Sequence, residues 1–375
     1  MNNGMGNQTV HSFAYSGNNL FAGTFAYGVY LSTNNGTSWT QTSLNNRTVS
    51  SLAVNGNNIF AGTATYGVYL SINNGTSWTQ TSLNNRTVWS SVVNGNNIFA
   101  GTIDNLAGVY LSTNNGTTWT QTSLNNRNVY SLAVNGNNIF AGTSFNGVYL
   151  STNNGTTWTQ SGLNSQSVIY SLSVNGNNIF AGTGNSGVYL STDNGISWTQ
   201  TPLNNMPVYS LAVNGNNIFA SGSGVYVSNN NGASWIQRNE GLTNFYDYAL
   251  CILNNYIFLG TGGEMPQGVY RRPLSELVGI QPISNEIPNQ FSLSQNYPNP
   301  FNPNTVISFQ LAVNSFAMLK VYDLLGREVA TLVNEQLQPG TYEVDWDGNG
   351  FASGVYYYKL AAGDYTETKK MVLIK

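Results

Sequence analysis

One octet governs what this chain can fold into. Ser32-Thr33-Asn34-Asn35-Gly36-Thr37-Ser38-Trp39 returns with small changes, ending at Trp78, Trp119, Trp158, Trp198 and Trp235, at intervals of 39, 41, 39, 40 and 37 residues. A fixed period near 40 residues belongs to chains built by stacking one supersecondary unit on its neighbours. An independent fold for each copy is ruled out, because a 40-residue unit cannot bury its own hydrophobic face.

Alignment on the phrase Asn-Gly-Asn-Asn-Ile-Phe-Ala-Gly-Thr gives seven units, beginning near Thr9, Thr48, Thr87, Asn128, Ser167, Pro207 and Phe245. Each reads as four short strands. In the second unit these are 49–54, 58–63, 67–71 and 77–82, rich in β-branched and aromatic residues. Between them lie Asn-Gly, Gly-Asn-Asn and Asn-Asn-Gly, residues that accept positive φ in tight hairpins. Four antiparallel strands per period, seven times over, predicts a seven-bladed β-propeller; the coils of a β-solenoid are shorter. The octet falls where the third strand turns into the fourth. There its Ser and Asn satisfy turn backbone, Gly36 supplies the permissive φ, and Trp39 packs between blades.

The octet resembles the Asp-box, Ser-x-Asp-x-Gly-x-x-Trp, of sialidases, xyloglucan hydrolases, sorting receptors and photosystem assembly factors. Ser191 to Trp198, with Asp193 and Gly195, matches in full, while the other copies carry Asn34, Asn73, Asn114, Asn153 and Asn230 at the Asp position. The resemblance implies a fold element remote from any active site. Ser32, Gly36, Trp39, Trp78, Trp119, Trp158, Asp193, Gly195, Trp198 and Trp235 are therefore expected to be structural.

The seventh unit ends at Gly268–Arg272 with no octet after it, and a ring needs a strand there. Asn2–Asn7 parallels Asn239–Asn244, which follows a fourth strand, so the expectation is that chain upstream of Met1 supplies the missing strand and a signal peptide. This assigns residues 1–272 to the propeller, with its N-terminus truncated. Residues 273–290, Pro-containing and without periodicity, read as a linker. A second all-β pattern of six or seven strands fills 291–375, a small immunoglobulin-like β-sandwich.

This last domain resembles the type A C-terminal sorting domain of the type IX secretion system. The landmarks are Tyr297-Pro298-Asn299-Pro300-Phe301, Val321–Val329 around Gly326, Gly340-Thr341-Tyr342, Ser353-Gly354-Val355-Tyr356, and the end from Lys369-Lys370 to Lys375. The resemblance implies a Gram-negative bacterium, export by the type IX secretion machinery, and a protein released or anchored at the outer surface.

Charge narrows the ligand. Charged residues are 7% of the chain, against roughly a quarter in an average soluble domain. No lysine precedes residue 278, and six arginines there offset six acids. A neutral surface is a poor phosphate binder, so nucleic acid is excluded as partner. No apolar run is long enough for a membrane helix. Cys251, the lone cysteine, sits in an apolar run and reads as a buried small hydrophobe.

No catalytic set stands out, and no cofactor or metal site is expected. The single His11 excludes His triads and His clusters. Arg47, Arg86 and Arg127 end the same Leu-Asn-Asn-Arg phrase in successive blades, unlike a sialidase arginine trio. Asp104, Asp247, Glu240 and Glu264 are acids for a hydrolase pair, but nothing marks two of them as partners.

What varies between near-identical blades is the turn from second to third strand and the residue entering the first strand, positions that share one face of a propeller. Tyr27, Tyr66, Trp89, Tyr130, Phe145, Tyr170 and Tyr209, with Arg47, Arg86 and Arg127, are the candidate ligand-binding residues. The reading is a monomeric, non-catalytic recognition or adhesion protein for a glycan or protein. The alternatives are an Asp-box glycoside hydrolase using acids such as Asp104 and Glu264, and a structural surface protein without a discrete ligand.

Overall fold

The structure, a computed structural model, describes residues 3–104, 107–239, 242, 247–263, 267–274, 277, 281–284 and 287–375. Among these there is no α-helix. The chain divides into two compact units, Met1–Leu277 and Val278–Lys375.

The first unit is a seven-bladed propeller. The first blade is an antiparallel sheet of Val10–Ser16, Asn19–Thr24, Gly28–Ser32 and Thr40–Gln41, paired in chain order from the axis outward. Five more four-stranded sheets repeat it, and the seventh has three strands, Asp247–Leu253, Tyr256–Thr261 and Gly268–Pro273. The inner strand of the seventh blade lies against that of the first, so the ring closes. The outermost strands are shorter than the sequence suggests, two residues each, because the box turn occupies the residues before them.

The core lies between blades. Phe21, Phe60, Phe99, Phe140, Phe180, Phe219 and Phe258, one per blade, are fully buried, and each such side chain contributes about 1.5–3 kcal/mol. Phe60 packs in one cluster with Val68 and Leu83 of its own unit and with Val88, Ile98 and Tyr110 of the next. Between the seventh and first blades, Met5 joins Phe258, Val269, Val10 and Leu20 in the place that Leu44 takes between the first and second. Cys251 is buried there too, and burial pushes its thiol up to about 12, which leaves it a small hydrophobe at neutral pH.

The second unit is a sandwich of two four-stranded sheets. One holds Gln281–Ser284, Gly340–Asp347, Asn304–Leu311 and Ser292–Leu293; the other holds Glu328–Leu337, Ser315–Tyr322, Gly354–Ala362 and Tyr365–Leu373. Leu293, Phe309, Leu319, Tyr358, Leu360 and Met371 fill its core. Seven strands stand within 291–375, inside the expected six or seven. One feature differs from the sequence reading. The segment read as linker carries Gln281–Ser284, a strand too short and irregular to show alternation, which pairs with the strand at Gly340–Asp347.

Candidate recognition face and export domain

The box builds a rigid corner in each of the first six blades. The Gly36 N–H donates to Ser32 Oγ (2.8 Å), Ser32 Oγ donates to Asn34 Oδ1 (3.0 Å), and the Ser38 N–H donates to the same oxygen (2.9 Å). Asn34 Nδ2 completes the circuit by donating to Ser38 Oγ at 2.9 Å. Asparagine therefore replaces aspartate without loss of closure, because its amide supplies both a donor and an acceptor. In the one true Asp copy, Asp193 accepts from Ser191 Oγ (2.8 Å), the Ser197 N–H (2.9 Å), the Ile196 N–H (3.1 Å) and Ser197 Oγ (2.6 Å). The bonds from Ser197 above all hold its carboxyl down at about 2.

The same corner joins neighbouring blades. Trp78 Nε1 donates to Thr42 Oγ1 of the preceding blade (3.2 Å), and Trp198 Nε1 to Ser161 Oγ (3.2 Å). Asn55, Asn94, Asn135 and Asn175 each donate from Nδ2 to the Oδ1 of the box residue Asn115, Asn154, Asn194 or Asn231 in the next blade, at 3.2, 3.0, 2.9 and 3.4 Å. These acceptors sit in left-handed backbone, φ 53 to 56, which asparagine tolerates better than most residues.

The opposite ends of the strands carry the variable residues. Phe25 N donates to Thr9 O and Ser144 N to Asn128 O, and like bonds in the second, third and fifth blades tie these turns between second and third strands to the residues entering the inner strand. Every inner strand has a β-bulge on entry, and the extra residue is His11, Ser50, Trp89, Tyr130, Tyr170, Tyr209 or Tyr248. A bulge re-aims one side chain out of the alternation of its strand. Six of the seven meet as rings in blade order, Trp89–Tyr130–Tyr170–Tyr209–Tyr248–His11, with centroids 5.5, 5.6, 5.3, 5.9 and 5.2 Å apart. Ser50 interrupts this half-buried collar. Burial lowers the pKa of His11 and raises that of Tyr170, the latter reinforced by Tyr130 and Tyr209.

The structure thus brings Trp89, Tyr130, Tyr170 and Tyr209 together and adds two residues that the sequence reading passed over. Tyr248 lies in the most diverged unit, and His11 was read as a variable strand residue although it aligns with Ser50 and Trp89. Tyr27, Tyr66 and Phe145 stand exposed on the turns. The three arginines, each at the end of one unit, bond to the next: Arg47, Arg86 and Arg127 donate from Nε to the hydroxyls of Tyr69, Tyr110 and Tyr149 at 3.4, 3.2 and 3.3 Å. Asp104 Oδ2 accepts from the Thr87 N–H (3.0 Å). Glu240 and Glu264 lie outside the described residues, as does the side chain of Asp247. Among the described residues no cluster of metal-ligating side chains occurs.

In the second unit the Tyr-Pro-Asn-Pro-Phe segment clamps the last strand. Phe301 N donates to Val372 O, Ile374 N to Phe301 O, and Val372 N to Asn299 Oδ1, each at 3.0 Å. Phe301 is buried against Trp346, while Tyr297 is 81% exposed. Beneath them, Tyr358 Oη donates to Ser294 O and accepts from the Asn296 N–H, both at 2.8 Å. Gly326 turns with φ 74, Tyr356 Oη donates to Ala352 O (2.9 Å), and Lys369 pairs with Glu367 (2.9 Å). The Lys370 carbonyl accepts from Gln295 Nε2 (2.8 Å).

Residues 295–375 match the family described as the secretion system C-terminal sorting domain. The second unit is a type IX sorting domain. Such a domain belongs to type IX secretion in Gram-negative Bacteroidetes, and the protein is secreted or surface-attached. Residues 79–214 match the DUF6242 beta propeller domain. Among solved structures, PorZ, a surface component of the type-IX secretion system of Porphyromonas gingivalis, aligns over 98% of this chain and 59% of its own, with 18% identity and TM-score 0.56. YCF48 from Cyanidioschyzon merolae covers 72% of this chain and 96% of its own at 13% identity, TM-score 0.57. An ancestral GH74 enzyme covers 96% and 62% at 18% identity, TM-score 0.55. These identities speak for the fold alone, and the chain spans about six-tenths of the PorZ and GH74 chains. No curated protein matches the sequence.

Proposed function

We propose that this secreted or surface-attached protein recognises a glycan or protein, without catalysis, on the propeller face that carries the bulged collar. The collar carries the reading. Box, Phe and Asn contacts recur blade after blade, yet at the bulge and the adjoining turn the blades differ, and there the differing residues are mostly aromatic. Rings at half-burial offer stacking surface at low entropic cost. YCF48, of similar fold, has been solved bound to the D1 peptide, a precedent for a non-catalytic ligand on such a propeller.

The full chain, applied to a glycan array and to surface proteins of Bacteroidetes, is expected to be retained by a defined ligand. Replacing Tyr27, Tyr66 and Trp89 together with alanine is expected to abolish retention with the fold intact. Undiminished retention by the triple variant would sink this reading. Glycoside hydrolysis is the second reading, favoured by the likeness to the GH74 enzyme. It requires cleaved products on the same array, lost in Asp104→Asn.

A further inference from the structure

The junction of the third and fourth blades differs from that of the first and second. Between the first and second blades, the Arg47 guanidinium lies over the Tyr66 ring, 4.1 Å from its centroid. In the fourth blade Asn146 stands where Tyr66 stands, so Arg127 loses that roof. In the third blade the corresponding turn is two residues longer and brings in Asp104 and Ala107. The result is an open cleft of about 490 Å³ walled by Asp104, Arg127 and Phe145. That volume lies within the roughly 300–1,000 Å³ of small-molecule sites.

Phe145 gives the cleft its character. It is 59% exposed and holds φ 61. Left-handed backbone in a bulky residue costs on the order of 1 kcal/mol or more, and glycine would avoid it. Ala26 (φ 65) and Thr65 (φ 71) hold the same conformation in their turns, so the strain belongs to the turn; what the fourth blade adds is an exposed aromatic ring there, open to a ligand's face. Below it, Asn125, Asn126, Asn128 and Asn146 line the cleft. Each amide both donates and accepts, as a sugar hydroxyl does. Asp104 and Arg127 offset each other in charge, which removes any pull toward an anionic ligand. Arg127 is fixed from behind by Tyr149 Oη (3.3 Å) and by its bond to Asn126 O (3.0 Å). Gln160 Nε2 fixes the turn through Asn146 O (2.8 Å). Apolar lining is confined to Ala107 and Phe145, too little for the side-chain pockets that a peptide needs.

We infer that this cleft is a binding site for a neutral saccharide, with Phe145 stacking on a sugar face and the amides, Asp104 and Arg127 bonding its hydroxyls. The inference rests on the recognition reading above and adds a place and a ligand class to it. Titration calorimetry of the full chain with neutral tetrasaccharides of β-1,4-glucose, β-1,4-mannose and β-1,4-N-acetylglucosamine, beside a sialylated and a sulfated glycan, tests it. At least one neutral probe is expected to bind. Phe145→Gly is expected to weaken it tenfold or more without lowering Tm, since glycine suits φ 61. Asn146→Tyr, which puts the roof back, is expected to do the same. Unchanged affinity in both variants overturns the cleft while leaving recognition elsewhere on the propeller intact. Binding of only the anionic glycans, or of a protein only, overturns the ligand class in the same way. A folded chain that binds no glycan and no protein overturns both readings.

Discussion

Asn254 Nδ2 in the seventh blade donates to Asn35 Oδ1 in the first at 2.8 Å, joining residues 219 positions apart. It repeats the amide-to-box contact made between earlier blades, with one shift. There the donor is the last residue of the inner strand, such as Asn55; here Leu253 takes that place and the donor is the next residue, in the turn. Arg271 supports the closure. It stands where the third strands of the first five blades have leucine and that of the sixth has Val227, and it donates to the Asn35 carbonyl oxygen and reaches Thr37 Oγ1 at 3.5 Å.

Asn254→Gly keeps the left-handed turn, φ 50, but removes the amide. It is expected to cost about 1 kcal/mol, and Arg271→Leu about 1.5–3 kcal/mol, the range for a bond to a charged group. Urea unfolding of the full chain reads both. A double variant losing the sum of the two would mean that the contacts act independently, and wild-type stability in both single variants would show that neither holds the closure.

Gly116 carries φ 82, and a Cβ there would lie 2.7 Å from Cε1 of the fully buried Phe60 in the preceding blade. Gly116→Ala meets both strain and overlap, so a loss of about 2 kcal/mol or more is expected. Thermal melts measure it. Wild-type stability in this variant would show that the box turn does not register one blade on the next.

Asp193 titrates at about 2 in the folded chain and near 3.8 when unfolded. Its folded pKa is depressed, so its stabilisation is complete above pH 3.8 and disappears as pH falls toward 2. Asp193→Asn, which copies the other boxes, is expected to be less stable than wild type at neutral pH, the gap closing across that window. A carboxyl ¹³C titration midpoint near 4 would refute the bonding described.

His11 acts at milder pH. Burial against Tyr248 and Phe25 disfavours its charged form, so the unfolded chain takes up a proton first and stability falls as pH drops below about 6.5. His11→Tyr, which installs the residue of four other blades, is expected to flatten Tm between pH 7 and 5. A slope that persists in the variant would place its origin elsewhere.

In the sorting domain, Tyr358→Phe strips a partner from both the Asn296 N–H and the Ser294 carbonyl. A cost of about 1–3 kcal/mol is expected. If export depends on a folded signal, less of the variant reaches the medium or cell surface, which immunoblotting of fractions measures. Full export despite a lowered Tm would separate export from domain stability.

The fold was legible because its determinants are local and repeated. Each copy of Asn-Gly, of the box and of the Phe-Ala-Gly run states the same hairpin, and Gly67–Ser71 appears with the expected ends. The proposed recognition face was legible only in part. Tyr130 and Tyr170 could be picked out because they vary against a constant background, but the bulge that brings their rings together depends on pairing across strands, which spacing does not encode. The roles of Arg47, Arg86 and Arg127 were hidden for a similar reason, since each finds its tyrosine some 22 to 24 residues away. The cleft beside Phe145 arises from an exchange, Tyr66 in one blade against Asn146 in another, whose meaning emerges only when Arg47 is seen under its ring.

The amide ladder has a direction. The third, fourth and fifth blades each offer a donor on one flank and an acceptor on the other, as monomers do in a head-to-tail polymer. Such an array could grow by gene duplication without any new contact being invented, since an inserted copy fits both neighbours. The junction sealed by Asn254 and Arg271 reads differently, and there two residues join the seventh blade to the first box and turn a would-be filament into a ring.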